Sequence, residues 1–465
     1  MLSNIPNEEW NRTYNKYGYC CSVQLVDEKD YIITGLQSND VFLMKIDEYG
    51  KELWTKKFGG RSLDWGFCVD QTSDNGFFII GITDSFGAGG HDVWLIKTDY
   101  NGNEIWNRTF GGKKLDEAFS GEQTNDGGYI ILGVTQSFVS EKNDFWLIKT
   151  DEDGYEIWNY TYGSIGWDIG ISVQQTNDGG YIMTGAIDSS VDGSHQIDLG
   201  IIKTDPAGNI EWKKTFGDST LQDQGLCIRQ TEDNGFIVVG FRDAYQDSWQ
   251  GGDVWLIKTD FNGKKIWETT IGGFGSDVGL SLCQTADGGY IISGKTDSFG
   301  FGEYDIFLVK TNCNGTQEWD MTFGGNQNEE TNGFSCVKQT NDGGYIIVGS
   351  TETYGDINIG PELWVVKVPD PIISVKIEGG LYLSSYVYNL GEEDLNGLYW
   401  SMRIDTKLFQ GKNSGGSIDF ISAKSHTKIF RLFIFGFGKA IIRVKVEGIA
   451  QTRKSFLFGP IVFLE

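Results

Sequence analysis

Carboxylates recur along residues 1–370 at intervals that suggest shared chemistry. Asp64, Asp116, Asp168, Asp223 and Asp277 each stand seven residues before a Gln-Thr pair. A second set, Asp40, Asp92, Asp144, Asp198, Asp253, Asp305 and Glu362, lies five residues before a Lys. A third comprises Asp84, Asp188, Asp243, Asp297 and Glu352. Hard cations such as calcium take several oxygen ligands, so Asp84 with Asp92, and Asp297 with Asp305, are candidate metal ligands. Two carboxylates at a set separation could also hydrolyse a glycosidic bond, although acids in every repeat single out no pair. The competing reading is that each carboxylate accepts hydrogen bonds within its own loop and stiffens it.

Aromatic residues accompany these acids. The segments carrying the second and third sets contain Phe86, Phe138, Tyr245, Trp249, Phe299, Phe301, Tyr304 and Tyr354, and Trp65 and Trp167 adjoin members of the first set. Rings beside polar groups suit sugars or peptides, which makes Asp64, Trp65, Phe86, Asp116, Trp167, Asp168, Tyr245, Trp249, Asp277, Phe301 and Tyr304 candidate ligand contacts. The same rings could instead fold inward over the strand edges. Other chemistries find little footing. The three histidines, His91, His195 and His426, form no zinc pattern, and neither a G-x-S-x-G elbow nor a phosphate loop is present. Asp151-Glu152-Asp153-Gly154 begins like a calcium loop, but sister turns read DYNG, DPAG and DFNG, which points to an Asp-rich hairpin turn.

What must position these groups is a block of about fifty residues that recurs seven times. Each block contains a Trp, at Trp10, Trp54, Trp106, Trp158, Trp212, Trp267 and Trp319. Each also has a strand-turn-strand unit in which a Gly follows ten residues after a Gln, as at Gln71 and Gly81, with Leu25 in place of Gln before Gly35 in the first block. Near-continuous apolar runs such as FFIIG and YIILG indicate central strands covered on both faces. The Trp rings are expected between neighbouring sheets, where full burial of roughly 150–250 Å² is worth on the order of 4–6 kcal/mol. Ser22, Cys68, Ser120, Ser172, Cys227, Ser281 and Cys336 share one position of the innermost strand, a slot for small side chains. With seven cysteines and no C-x-x-C pair, a disulfide framework and a zinc site are both unsupported.

The repeat is out of phase with the chain ends. The last three-strand set, around Cys336, Tyr345 and Trp364, lacks a fourth member, and the opening segment Glu8 to Tyr14 matches it. These residues predict an all-β, seven-bladed β-propeller over residues 8–368, with the N-terminal strand closing the last blade. In a four-stranded meander all three carboxylate sets then converge on one face.

Charge narrows the partners. The chain carries −26, with 26 Lys/Arg against 56 Asp/Glu in residues 1–370 and 12 against 8 in residues 371–465. Such an acidic ring repels a phosphate backbone, so nucleic acid is not expected as a partner. No segment has the apolar length to span a bilayer, and MLSNIPNEEW lacks an apolar signal region, so no direct membrane insertion is expected. Beyond KVPDP the repeat stops, and seven strand-like runs from IISVKI to FLFGPIVF predict a β-sandwich at 372–465.

The DGGYII-G, D-W-L-I-K-T-D and W-x-x-T-F-G-G strings resemble repeats of prokaryotic, especially archaeal, cell-surface and secreted propeller proteins. GLYLSSYVYNLGEEDLNGLYWSMRID and the FIFGFGKAIIRVKV run resemble small immunoglobulin-like domains that follow large surface ectodomains. These resemblances imply an extracellular or cell-surface display module. The expected function is non-catalytic recognition of a glycan or surface protein, with homotypic assembly open and no cofactor required except calcium as an option. A structural spacer is the alternative, and a polysaccharide-active or quinone-dependent enzyme a further one. For the latter, K-T-D-x-x-G followed by Trp resembles hairpins of quinone-cofactor dehydrogenase propellers, from which the interval and composition depart.

Overall fold

The computed structural model describes residues 9–139, 142–163, 166–189, 196–217, 221–244, 252–354, 360–370, 373–378, 383–389, 395–406, 409–422, 425–432, 436–446, 449–459 and 461–464. These residues form strands and turns, and among them no helix is long and apolar enough to cross a membrane. The chain is an all-β, propeller-like protein whose repeats form four-stranded antiparallel sheets. Asp64–Gln71, Phe77–Thr83, Asp92–Thr98 and Glu104–Phe110 make one sheet in chain order, and the sets beginning at Asp116, Ile169, Gln222 and Asp277 repeat it.

The first strand, Trp10–Val26, belongs to two sheets. Its Gly18 to Val26 portion pairs with Asp30–Gln37. Its Trp10 to Thr13 portion pairs antiparallel with Trp364 to Lys367 of the last repeat. Innermost strands touch in the order Trp10–Val26, Asp64–Gln71, Asp116–Gln123, Ile169–Gln175, Gln222–Gln230, Asp277–Gln284 and Val337–Gln339, and the last touches the first.

Local chemistry explains the recurring glycine and tryptophan. The inner strand bulges between Gly66 and Cys68, which drives the Trp65 carbonyl onto Gly81. A Cβ at Gly81 would meet that oxygen at 1.9 Å, so only glycine fits. Trp54, Trp106, Trp158, Trp212 and Trp267 are half-buried, so their burial stabilises less than the full-area figure above. Each packs on an aromatic of the next sheet's second strand, as Trp106 does on Tyr129 at 5.8 Å and Trp319 on Tyr345 at 5.7 Å.

The small-residue slot makes bonds as well as space. Ser22, Ser120, Ser172 and Ser281 accept the backbone N–H of Val69, Val173, Ile228 and Cys336 in the following sheet, at 3.1–3.3 Å. Cys68 and Cys227 donate forward to the carbonyls of Gly121 and Leu282. The Cys336 thiol lies 3.0 Å from the Gly333 carbonyl and 3.1 Å from that of Cys21, and the Val23 N–H donates to the Ser335 carbonyl at 3.0 Å, linking the last inner strand to the first.

At the opposite end of the sheets the Lys of each third strand is structural. Lys97 is 5% exposed, and its ammonium lies 2.9 Å from Asp74 of the preceding turn, a pairing that Lys149, Lys203, Lys258, Lys310 and Lys367 repeat. Pairing is what lets a cation sit in so dry a place.

Residues beyond the repeat form two antiparallel groups. Ile373–Glu378, Leu383–Asn389 and His426–Leu432 make a three-stranded sheet. Phe409–Ile421, Leu395–Thr406, Gly436–Val446, Ile449–Gly459 and Ile461–Leu464 are neighbours in that order. The closing run FLFGPIVF thus supplies two strands where one was expected. Buried aliphatics of this region, among them Val375, Ile404 and Val444, join Trp319, Met321 and Val366 of the repeats in a single apolar cluster. One backbone pairing, Asp320 with Ala450, also crosses the junction.

Candidate functional site

The first carboxylate set works inside the loops. Asp64 accepts the Thr83 hydroxyl, the Ser85 hydroxyl at 2.6 Å and the Gly60 N–H at 2.8 Å. Asp116 repeats this with Thr135, Ser137 and Gly112. Asp277 accepts Ser298 and Gly273, both at 2.6 Å. Asp168 and Asp223 instead take the N–H groups of Asp188 and Asp243. All five are 0% exposed. Asp64, Asp116, Asp168 and Asp277 therefore act as acceptors that staple one loop to the next and present no surface to a ligand. In the last repeat Glu329, ten residues before Gln339, does this job for Thr351, Thr353 and Gly325. The fixed interval missed it, because a longer side chain reaches in from a displaced strand.

Carboxylates of the second set meet the first set of the following sheet. Asp253 and Asp277 both approach Gly272, where an added Cβ would lie 2.2 and 2.6 Å from their oxygens. Asp305 and Glu329 flank Gly324 in the same way. Burial, with the Asp253 charge adding, pushes Asp277 up to about 7, while Ser298, Thr296 and Gly273 pull the other way. Burial and the facing Glu329 push Asp305 up to about 7. Like charges this close favour a neutral partner, so Asp305 holds its proton well above the ordinary carboxylate range.

The proposed metal pairs are drawn into other contacts. Asp84 lies 3.2 Å from His91 Nε2, whose Nδ1 is 2.6 Å from Glu117. Asp92 accepts the N–H groups of Ala88 and Gly89. Asp297 accepts the Ser276 N–H, and Asp305 that of Phe301 at 2.6 Å. Among the described residues no three His, Cys, Asp or Glu are grouped to hold a metal. Calcium wants about six to eight oxygens, which these pairs do not supply. In the calcium-like turn, Asp151 accepts the N–H groups of Asp153 and Tyr155, as Asp99 and Asp205 do in sister turns.

Rings remain at the surface of the loop face. In the turn Thr83 to Phe86, the Thr83 hydroxyl oxygen accepts the N–H groups of Ser85 and Phe86, both at 3.1 Å. This sets Phe86 on Trp94, 5.4 Å away, with 46% of its surface exposed. Phe138 sits likewise on Trp146 at 5.2 Å and is 54% exposed. Phe299 on Phe307 and Tyr354 on Trp364 repeat the arrangement. Phe301 and Trp167 are exposed, whereas Tyr304 is partly covered and lies under the Lys295 ammonium. Tyr245 and Trp249 lie outside the described residues. Trp65 turns inward, stacks between Tyr19 and Phe67, and donates to Cys21 Sγ.

Two further features of the inner strands escaped the sequence reading. Phe67 contacts Phe119, which reaches Phe334 of the last repeat at 6.1 Å, so rings fill the axis near the loop face. Two residues beyond each Ser/Cys slot stand Gln24, Asp70, Glu122, Gln174, Arg229, Cys283 and Lys338. Unlike the slot, this position mixes acids, bases, amides and a thiol. Glu122 accepts the Gln175 N–H, Gln174 that of Gln230 at 2.7 Å, and Arg229 donates to Ser172 at 3.3 Å. Burial pushes Glu122 up to about 7 against the pull of Arg229 and Lys338. The signal was available: the position immediately precedes each Gln.

No family model and no curated protein matches the chain. Among solved structures, it is similar to the β-propeller domain of the Trilobed protease from Pyrococcus furiosus, at 12% identity and TM-score 0.41 over 77% of this chain and 99% of that one. It is also similar to Sqt1 from Chaetomium thermophilum, at 11% identity and TM-score 0.43 over 82% and 96%. A protein of unknown function from Bacteroides caccae is similar at 13% identity and TM-score 0.36 over 59% and 96%. These likenesses concern the fold and bring no activity to this chain.

Proposed function

We propose that the chain is a seven-bladed ring displayed outside the cell, which recognises a glycan or surface protein through the aromatic side of its loop face and performs no catalysis. The observation that carries this reading is the repeated seating of an exposed ring on a third-strand aromatic, as in Phe86 on Trp94 and Phe138 on Trp146. Each seat is held by buried carboxylates that fix the turn, so the rings are presented at little conformational cost. The repeat strings support an extracellular setting, and the C-terminal sheets serve in this reading as an immunoglobulin-like unit that orients the ring.

Asp305 and Glu329 are buried, so a polysaccharide-active enzyme would have to use other carboxylates of the loop face. A glycan and peptide array probed with the full chain and with Phe86→Ala/Phe138→Ala tests the proposal. Binding that weakens roughly 10-fold or more in the double variant supports it; turnover of any polymer, abolished by one loop carboxylate substitution, overturns it. A structural spacer remains the second reading, favoured by the loop-to-loop hydrogen bonds that Asp64, Asp116 and Asp277 accept, and it expects no hit on either array.

A further inference from the structure

One cavity, of about 250 Å³, lies where the loop face meets the C-terminal sheets. The repeats contribute Phe299 and Phe301, and the C-terminal sheets contribute Arg403, Arg443 and Lys445. Among the described lining residues there is no Asp or Glu. In a chain of net charge −26, a cavity with three cations is a local inversion of sign.

Arg443 is built into the structure, Lys445 is half-buried and Arg403 is exposed. Arg443 sits 4.1 Å above the Phe299 ring and 2.5 Å from Asp320, which is 0% exposed and also bonded by Gln317. Phe299 is itself held on Phe307. Stacking on one side and a carboxylate on the other fix the guanidinium plane, an arrangement that lysine would not reproduce. Lys445 lies two residues along the same strand, on the same side. It has no carboxylate within ion-pairing distance among the described residues; burial and the Arg443 charge both press its ammonium toward the neutral form, against the pull of Asp320. An anion in the cavity would relieve that strain.

Ser298, Gly300, Thr322 and Ser401 complete the lining, with the Ser298 hydroxyl held by Asp277, and Phe301 stands at its edge with 73% of its surface exposed. Fixed cations alone would suit any anion. Cations together with hydroxyls and an exposed ring suit a saccharide that carries one, because sugar hydroxyls need polar partners and the apolar face of a pyranose needs a ring.

We propose that this junction cavity binds an acidic sugar residue, with a carboxylate or sulfate held by Arg403, Arg443 and Lys445 and the sugar face against Phe301. The proposal rests on the recognition reading above and names its ligand class, and it moves the contact from the open loop face to the junction.

Calorimetry on the full chain tests it with a trigalacturonate, a sulfated galactan trimer, a neutral galactose trimer, inorganic sulfate and a polyglutamate peptide. An acidic trimer is expected to bind at least about 10-fold more tightly than the neutral one, more weakly as salt rises. Arg403→Gln and Lys445→Gln should each lose roughly 10-fold with an unchanged melting curve. Phe301→Ala should weaken both sugars alike. Equal binding of neutral and acidic trimers overturns the proposal, as does binding by neither, or acidic binding that survives Arg403→Gln/Lys445→Gln. Inorganic sulfate or polyglutamate binding as tightly as the acidic trimers would show an anion or acidic-peptide site instead. Ligand binding lost in Phe86→Ala/Phe138→Ala but intact in Lys445→Gln would sink the cavity and leave the loop-face reading standing; the reverse pattern would sink the loop face alone.

Discussion

Two rings of side chains lie two residues apart on the same innermost strands, and they obey different rules. The Ser22, Cys68, Ser120, Ser172, Cys227, Ser281 and Cys336 ring uses two residue types. The adjacent ring of Gln24, Asp70, Glu122, Gln174, Arg229, Cys283 and Lys338 uses six. A slot residue must touch the next inner strand with a hydrogen-bonding atom and nothing larger, so every repeat faces one constraint and finds one of two answers. Two residues on, the side chains project into space shared by all the strands. There a large or charged group from one strand can be balanced by another from across the axis. Repetition is kept where neighbours alone decide and is relaxed where the whole ring decides.

The largest effect should come from opening the seam between the first strand and the last repeat, outside both sets of inner-strand side chains. Removing residues 1–15 takes away the pairing of Trp10 to Thr13 with the last repeat and bares the edge of Glu362–Val368. A loss on the order of 5 kcal/mol or more is expected, with aggregation, in thermal unfolding followed by light scattering. An unchanged melting curve would mean that the seam contributes little.

Glu122 tests the mixed ring through pH. Its folded value of about 7 lies above the usual 4.5, so the folded state holds the proton more tightly than the unfolded chain. The resulting stability is fully present below 4.5 and is lost as pH rises through 7. Glu122→Gln should therefore match the parent at pH 4 and exceed it at pH 8 by on the order of 2–3 kcal/mol in urea unfolding. Asp277 adds loss in the same direction. Asp74 and Asp342 behave oppositely: burial acts upward, but hydroxyl and ammonium partners hold both near 2, so what they contribute is lost only as pH falls toward 2. A Glu122→Gln advantage of the same size at pH 4 and pH 8 would show that charge is not its cause.

Within the slot ring the effects should be smaller and graded. Ser172→Ala leaves the Ile228 N–H without its acceptor and should cost about 1–2 kcal/mol in the same assay. Ser172→Cys and Cys68→Ser exchange the two native answers and should stay within about 1 kcal/mol of the parent. A Ser172→Cys cost equal to that of Ser172→Ala would mean that geometry, not size, separates serine from cysteine there.

Much of this was legible in the residues. The Gln71 to Gly81 interval marked a hairpin, and the structure supplies the reason in the Trp65 carbonyl that crowds Gly81. The Ser/Cys position was readable as a small slot, but its hydrogen bonds to the next sheet were not, because they depend on where a different repeat's backbone arrives. Asp64 and Asp116 were recognisable as one set and as loop acceptors, yet neither their full burial nor their particular partners Thr83 and Thr135, a strand and a turn away, could be read from the residues. Glu329 was missed because register counting assumes equal spacing, and the last inner strand does not keep it. Trp65 was read as a face residue when its neighbours Tyr19 and Phe67 draw it inward.

The residue pattern by itself determined the strands, their order within each repeat and the partner of the opening segment, since near-continuous apolar runs, Gly-bearing turns and the phase of the repeat against the chain ends can all be read along the chain. Tertiary structure alone decided which carboxylates face one another, which rings stay in water and where positive charge collects. Those outcomes join side chains from different repeats, and Arg443 and Phe299 from opposite sides of the junction. No interval along the chain records a distance across a ring axis or a domain seam, because the energy of such contacts depends on how the sheets stack and not on how many residues separate them.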